Sequence, residues 1–229
     1  MPQHKRIILV SVMGTSPAVL TNTVWGLAHQ KPSIVPDEIV VFITKRGKEI
    51  LPQKLFDEGI WNAMRSNLKR EKIEVEGKLI FGATSIRAIP DAEGNEIEDL
   101  RTGEDNLRAA DFMLAQLRQY TEDSGVELHV SIAGGRKTMS ALLFSCMTLL
   151  GRENDKVYHV LLPSEFEGGT EPAFYFPKKG EKYKSRLTGK SYPGAKVQSE
   201  LFEVPFVRMR GWYQEQLREL SIEDAIMSS

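Results

Sequence analysis

The chain has 229 residues, of which 41% are hydrophobic and 27% charged, so it can form one α/β domain with a sizeable core and is not globally disordered. Its formal net charge of −1 argues against bulk binding to long nucleic acid but leaves room for a local basic pocket. The longest apolar run, MSALLFSCMTLL, is too short for a membrane span, and Ser11 and Gly14 interrupt the apolar N-terminal run too early for a signal peptide. We therefore expect a cytoplasmic protein with no membrane association, in which the single Cys146 is a core residue in a reducing compartment.

Five short, β-branched and apolar segments are typical of strands that are buried on both faces of a sheet. They are residues 6–13, 38–45, 78–84, 127–133 and 156–163. Helical patterns lie between them, and this alternation predicts an α/β, Rossmann-like fold whose mostly parallel sheet has helices on both faces.

The first two helices are marked by their start and by their breaks. The first is predicted to begin at Ser16 and Pro17, a favoured pair for the N-cap and the first helical position, and to end near residue 29. The second runs from the late forties to about residue 72, and we expect breaks near Pro52 and Gly59.

The third and fourth helices follow clear start signals. The third opens at Thr102 with Asp105 in its first turn. The fourth follows a pair of glycines and ends at Gly151, and it is so apolar that we expect it to be buried. The predicted buried face of the third helix consists of Leu107, Ala110, Leu114 and Leu117.

The amino-acid composition changes after residue 163. We therefore divide the chain into a domain, residues 1–163, and an extension, residues 164–229, which we expect to pack on that domain. The extension is rich in glycine, proline, lysine and tyrosine, which predicts a long loop or β-hairpin followed by a short C-terminal helix. Its basic residues are a solvated surface or, alternatively, part of a flap in which Tyr183 and Tyr192 stack on a nucleotide. These basic residues are Lys178, Lys179, Lys182, Lys184, Arg186 and Lys190.

Two loops that follow predicted strands are suited to binding phosphate. VMGTSP follows the first strand and IAGGRK the fourth, and open parallel sheets bind ligands beyond the carboxyl ends of their strands. Glycines allow close backbone approach, and each loop leads into a positive helix N-terminus. Arg136 and Lys137 begin the fourth helix, although a cation there costs roughly a few tenths of a kcal/mol. A bound polyanion would resolve this conflict.

Other interpretations of these loops are simpler, and several familiar sites are excluded. Each loop alone is compatible with a tight turn and a helix cap. The sequence has no G-x-G-x-x-G after the first strand and no G-x-S-x-G, and Arg136 occupies the place of the second glycine of a phosphate loop. Four scattered histidines and one cysteine give no metal-binding spacing, so we expect neither a metal nor a cofactor.

Four segments resemble the CARF domains of type III CRISPR accessory proteins: GTSP, ITK, RTGEDN and SIAGGRKTMS. The similarity covers most of residues 5–163, and VPFVRMR near the end is also similar to short members of the group. The resemblance implies a Rossmann-like fold and a two-fold homodimer that binds cyclic oligoadenylate across its interface. A ring of repeated nucleotides can share the two-fold axis of such a dimer.

Small members of this group include ring nucleases, and the resemblance implies this activity here. Attack of a ribose 2′-OH on the adjacent phosphodiester, without a metal, would give a 2′,3′-cyclic phosphate and switch off type III CRISPR signalling. Lys137 would stabilise the charge on the phosphate, and Ser16 would orient the attacking hydroxyl or the phosphate. The expected ligand-binding residues are Gly14, Thr15, Thr44, Asn106, Ser131, Gly134, Gly135, Arg136 and Thr138.

Two other functions remain open at this point. One is a non-catalytic sensor that binds cyclic oligoadenylate and regulates a partner effector through its C-terminal segment. The other is a metabolic enzyme that binds ordinary nucleotides on a Rossmann-like fold. A spacing that resembles a HEPN ribonuclease motif, Arg152 to His159, falls on a predicted strand where that motif requires a helix, so we take it as chance.

Overall fold

The centre of the fold is a six-stranded sheet in the computed structural model, which describes residues 5–212. All neighbouring strands are parallel except one strand at an edge of the sheet, which pairs antiparallel with its neighbour. The sheet therefore has the mostly parallel, Rossmann-like organisation that the sequence predicts. In sheet order the strands are β3 (Ile86–Ala88), β2 (Glu38–Ile43), β1 (Arg6–Met13), β4 (Val126–Ser131), β5 (Lys156–Leu161) and β9 (Glu200–Glu203).

Helices cover both faces of this sheet, as predicted. On one face α4 and α5 pack over Ile8, Val10 and Val12 of β1, and on the other α1 and α3 pack over Leu9 and Met13. β1 is therefore buried on both sides, which explains its continuous apolar sequence. The helices are α1 (Ala18–Ala28), α2 (Lys45–Pro52), α3 (Ile60–Arg70), α4 (Gly103–Thr121) and α5 (Lys137–Leu150).

The third predicted strand is wrong in position. Within 78–84 only Ile80 forms a bridge, to Glu38, and the third strand of the structure is β3. Leu79 adopts a left-handed backbone with φ of 56°, which interrupts an extended run, and Ile80 is left 62% exposed. This apolar segment is thus a turn that lies beside the start of β2, and not a strand.

The helix starts and breaks are partly as expected. The predicted cap at Ser16 is wrong, because α1 begins at Ala18 with Pro17 in the N-cap position and no side-chain cap. The breaks after α2 are confirmed: Pro52 leads into a π turn, Gln53–Asp57, and Gly59 takes a left-handed φ of 71° before α3. The Ser16 hydroxyl therefore does not cap α1.

The N-terminus of α4 is confirmed, but its buried face is shorter than predicted. Thr102 accepts a hydrogen bond from the Asp105 backbone N–H, and the Asp105 carboxylate accepts one from the Thr102 backbone N–H. Leu107 is 37% exposed, so its predicted burial is wrong. The first turns of α4 extend past the edge of the sheet, and burial begins at Ala109 and Ala110.

The predicted burial of α5 is also only partly correct. One side of the helix faces the core, whereas Ala141 and Ser145 on the other side are exposed, and Leu142 and Leu149 are half-buried. Its apolar sequence therefore leaves an outward surface that the protomer does not cover. The core side consists of Met139, Leu143, Cys146, Met147 and Leu150.

The chain after β5 forms the predicted hairpin structure. Three short antiparallel strands, β6 (Thr170–Glu171), β7 (Lys182–Ser185) and β8 (Ser191–Pro193), surround a small aromatic core. Tyr183 is 1% exposed in that core and donates a hydrogen bond to Glu181, so its predicted stacking on a ligand is wrong. The predicted short C-terminal helix lies outside the described residues. No helix within residues 5–212 is both long and apolar enough to cross a membrane.

Candidate functional site

The two glycine loops lie in contact at the carboxyl edge of the sheet. They follow β1 and β4, which are neighbours, and a Cβ added to Gly14 would lie 3.4 Å from the Gly135 Cα. This distance is an ordinary van der Waals contact, so only the space of about one methyl group separates the two loop backbones. Parallel strands that end at the same edge therefore place both predicted phosphate-binding loops at one site.

The loop before α5 has a backbone that requires glycine. Gly134 has a φ of 150°, and a Cβ there would lie 2.8 Å from the Val12 carbonyl oxygen. Gly135 has a left-handed φ of 66°. The Ser140 hydroxyl donates a hydrogen bond of 2.9 Å to the Gly134 carbonyl and holds the loop against α5. The loop is thus fixed before any ligand binds, which reduces the entropic cost of binding.

A cleft of about 590 Å³ opens in front of the two loops. This volume is in the range of small-molecule sites. Five predicted ligand-binding residues line it, namely Gly14, Thr15, Thr44, Gly135 and Arg136. Five further residues that the sequence motifs did not indicate also line it, namely Arg46, Glu98, Asp99, Arg101 and Met139.

Cations at two helix N-termini make this cleft basic. Lys45 and Arg46 begin α2, and Arg136 and Lys137 stand at the N-terminus of α5, with no acidic residue in the first turn of either helix. By contrast, α4 has the ordinary pattern, with acidic residues in its first turn. Because cations oppose the positive end of a helix dipole, both starts are better suited to facing an anion.

Acidic residues of the cleft lining already pair with two of these cations, Glu98 with Lys45 and Asp99 with Arg136. The Asp99 carboxylate accepts hydrogen bonds from two guanidinium nitrogens of Arg136 and one, of 3.2 Å, from Arg101. The hydrogen bond from Arg136 is the main reason why the pKa of Asp99 is lowered to about 2. Arg46 forms no ion pair within the described part of the chain. An anionic ligand would thus meet Arg46 directly and compete with Asp99 for Arg136.

The other predicted binding residues lie outside the cleft lining. The Ser131 side chain is buried, with its Oγ 3.1 Å from Thr23 Oγ1. Asn106 donates a hydrogen bond of 2.6 Å to the Thr102 carbonyl in the first turn of α4. Gly134 lies behind Gly135, and Thr138 is exposed on α5.

The two predicted catalytic residues do not meet around the cleft of one protomer. Lys137 is exposed at the first position of α5 and forms no ion pair among residues 5–212. Ser16 is exposed, its hydroxyl has no hydrogen-bond partner in the described structure, and it lines a second cavity on the other side of the VMGTSP loop. Of the two neighbouring cations, Arg136, the extended N-cap residue of α5, lines the cleft and Lys137 does not.

One of the missed residues carried a signal in the sequence. The segment KRGK follows the second strand and repeats the cations found at the start of the fourth helix, which would have indicated Arg46. Asp99 had no such signal. It reaches the cleft because the loop after β3 returns to α2, where the Lys45 backbone N–H donates a hydrogen bond of 2.8 Å to the Ile97 carbonyl.

The described residues, 5–212, contain no group of histidine, cysteine and acidic side chains that could hold a metal ion. Fold and cleft together define a Rossmann-like α/β protein with a basic, glycine-lined cleft at the carboxyl edge of its sheet.

A family model identifies the chain more closely. The chain belongs to the family described as CRISPR-associated protein NE0113 (Cas_NE0113), whose model matches residues 16–228. The link to CRISPR systems that the sequence motifs indicate is therefore confirmed. No curated protein sequence matches the chain.

Among solved structures, the chain is similar to Can2 from Sulfobacillus thermosulfidooxidans in complex with cyclic tetra-adenylate (cA4), with a TM-score of 0.33 and 13% sequence identity. The match covers 82% of this chain and 37% of that chain. The present chain therefore spans well under half of the length of that protein.

Proposed function

We propose that the protein binds cyclic oligoadenylate, specifically cyclic tetra-adenylate, in the glycine-lined cleft. The observation that carries this proposal is the contact between Gly14 and Gly135 beneath two helix starts that have cations and no acids. Such a site suits several phosphates held close together better than it suits a single carboxylate. Membership of a CRISPR-associated family and the CARF-like motifs favour cyclic oligoadenylate as this polyanion.

The ring would be shared by two copies of the chain. A cyclic tetranucleotide has a two-fold axis, and an isologous dimer places the same cleft on both sides of that axis. The outward side of α5 is the surface that suits this pairing, because it begins at the cleft and combines the small exposed Ala141 with the half-buried Leu142. Lys137, at the start of the same helix, would then point towards the ring.

Within this dimer the chain would act as a ring nuclease. The 2′-OH of one ribose gives its proton to water and its oxygen forms a bond to the adjacent phosphorus, while the bond to the 5′-oxygen breaks, giving a 2′,3′-cyclic phosphate and a 5′-hydroxyl. Lys137 stabilises the charge on the phosphate oxygens and donates a proton to the leaving oxygen. Ser16, whose hydroxyl is not used as a helix cap, orients the attacking 2′-OH. The positioning of the reacting groups and preorganised hydrogen-bond donors supply the rate enhancement, and no metal is required.

The test is incubation of the purified protein with labelled cyclic tetra-adenylate in EDTA. The proposal expects linear products with a 2′,3′-cyclic phosphate at one end, and expects them to disappear in Lys137→Ala. A ring that binds but stays intact over long incubation at high enzyme concentration would rule out the nuclease.

A non-catalytic sensor is the second candidate, and one observation favours it. Ser16 lines the second cavity, and Lys137 lines neither that cavity nor the cleft, so the catalytic pair is not assembled within one protomer. A sensor would bind the same ring in the same cleft and alter a partner. Binding without cleavage in the EDTA experiment is the result that this candidate expects.

A further inference from the structure

A second cavity lies beside the cleft, between the start of α1, the end of β5 and the small antiparallel sheet. We call it the Asn22 pocket, and its volume is about 510 Å³. Its walls include Val160 of β5 and the aromatic side chains of Phe166 and Phe174. The cavity is therefore large enough for a nucleobase and has apolar surfaces against which a flat ring can pack.

Asn22 in the wall of this pocket has an unused acceptor. The residue is 1% exposed, and its Nδ2 donates a hydrogen bond of 2.7 Å to the Ala18 carbonyl. Its Oδ1 has no hydrogen-bond partner among the described residues. Buried side-chain oxygens are normally paired, so an orphaned amide oxygen in a cavity wall indicates that a donor from a ligand can complete it.

The charges around the Asn22 pocket favour an anionic ligand. Lys54 and Arg186 line it and form no ion pair within residues 5–212, whereas Glu167 is the acidic residue of the lining. An uncharged base inside the pocket, attached to a phosphate outside it, fits this distribution.

The Asn22 pocket and the cleft are lined by consecutive residues of one loop. Gly14 and Thr15 line the cleft, and Ser16, the next residue, lines the Asn22 pocket. Neighbouring Cα atoms are about 3.8 Å apart, so the two cavities are separated by less than the length of a nucleotide. A phosphate on the glycine loops can therefore carry a base that reaches past Ser16.

We infer that the Asn22 pocket is an adenine-binding subsite and that the Asn22 amide reads the edge of the base. Oδ1 accepts a hydrogen bond from the exocyclic amine, and the second hydrogen of Nδ2 donates to a ring nitrogen, which is the pairing by which asparagine recognises adenine. Hypoxanthine carries an oxygen in place of that amine, so two acceptors would face each other. This inference rests on the proposed function, since it assigns one base of the proposed ring.

The experiment compares cyclic tetra-adenylate with cyclic tetra-inosinate on the wild-type protein and on Asn22→Leu, which keeps the volume and removes the amide. We expect the wild type to prefer the adenine ring by about tenfold or more, and Asn22→Leu to bind both rings within about twofold of each other. Undiminished preference in Asn22→Leu would overturn the inference. Binding of neither ring by the wild type would instead refute the proposed function.

A second pair of variants decides the matter if Asn22→Leu does not fold. Ala173 is exposed and lines the Asn22 pocket, and Ala195 is exposed and lines a different cavity, on the far side of α1. We expect Ala173→Phe to fill the pocket and weaken cyclic tetra-adenylate binding about tenfold, and Ala195→Phe to leave it unchanged. Equal affinities of these two variants would exclude the pocket as a base site.

Discussion

Replacing Gly135 with alanine separates the role of the cleft from the stability of the fold. Gly135 and Gly59 have nearly the same left-handed backbone, with φ of 66° and 71°. An alanine in this conformation costs roughly 1–2 kcal/mol, which for a domain of this size corresponds to a decrease in Tm of about 2–8 °C. A Cβ at Gly59 would meet nothing within 4 Å, whereas one at Gly135 would lie 3.0 Å from the sulfur of Met139.

Because the Met139 side chain is flexible, we expect Gly135→Ala and Gly59→Ala to lose similar stability. Their ligand binding should differ, since the new methyl group of Gly135→Ala stands where the two loops form the cleft. Scanning calorimetry measures the first quantity, and titration with cyclic tetra-adenylate the second. We expect binding to weaken at least about tenfold in Gly135→Ala only. Equal affinity in both variants would refute the assignment of the cleft, and a much larger loss of Tm in Gly135→Ala would refute the argument from strain.

Four further predictions concern charge and burial. Asp99→Asn should release Arg136 and strengthen binding of cyclic tetra-adenylate at neutral pH, and weaker binding would show that Asp99 does not compete with the ligand. The pKa of Asp99 is lowered to about 2 from 3.8. Its stabilising contribution, which solvent screens because Arg136 is 52% exposed, is therefore present above pH 4 and should disappear as the pH falls to about 2. Calorimetry of the wild type and Asp99→Asn across that window measures this loss, which the variant should lack. Arg46→Gln should weaken the ligand about tenfold and flatten its salt dependence, whereas Arg70→Gln, at the exposed end of α3, should match the wild type. Cys146, whose pKa burial raises to about 12, should resist iodoacetamide at pH 8 until the protein is unfolded in urea, and rapid labelling of the native protein would contradict its place in the core.

The parallel core was predictable because its signals are local. Four of the five strands of the parallel sheet lie in the predicted apolar segments. A strand that is buried on both faces is apolar along nearly its whole length, which makes it visible in the sequence. The α4 start was equally clear, because Thr102 and Asp105 cap one another within four residues. The two glycine loops came together because adjacent parallel strands end at the same edge.

Features that depend on distant parts of the chain could not be predicted in the same way. Asp99 reaches Arg136 only through the path of a loop, and no spacing in the sequence encodes that meeting. Leu107 has the periodicity of a core residue, but its side chain is left 37% exposed. Ser16 looks like a helix cap, yet the helix begins later and leaves its hydroxyl available. Periodicity thus predicts which face could be buried, and only the fold decides which face is.

In the proposed dimer, the paired glycine loops of two chains hold one cyclic ring. Calorimetric titration of the wild-type protein with the 2′-deoxy analogue of cyclic tetra-adenylate, which lacks the attacking hydroxyl and stays intact, tests this arrangement, because the molar ratio counts chains per ring. We expect one ring for every two chains. A ratio of one ring per chain, or no binding by the folded protein, would contradict it.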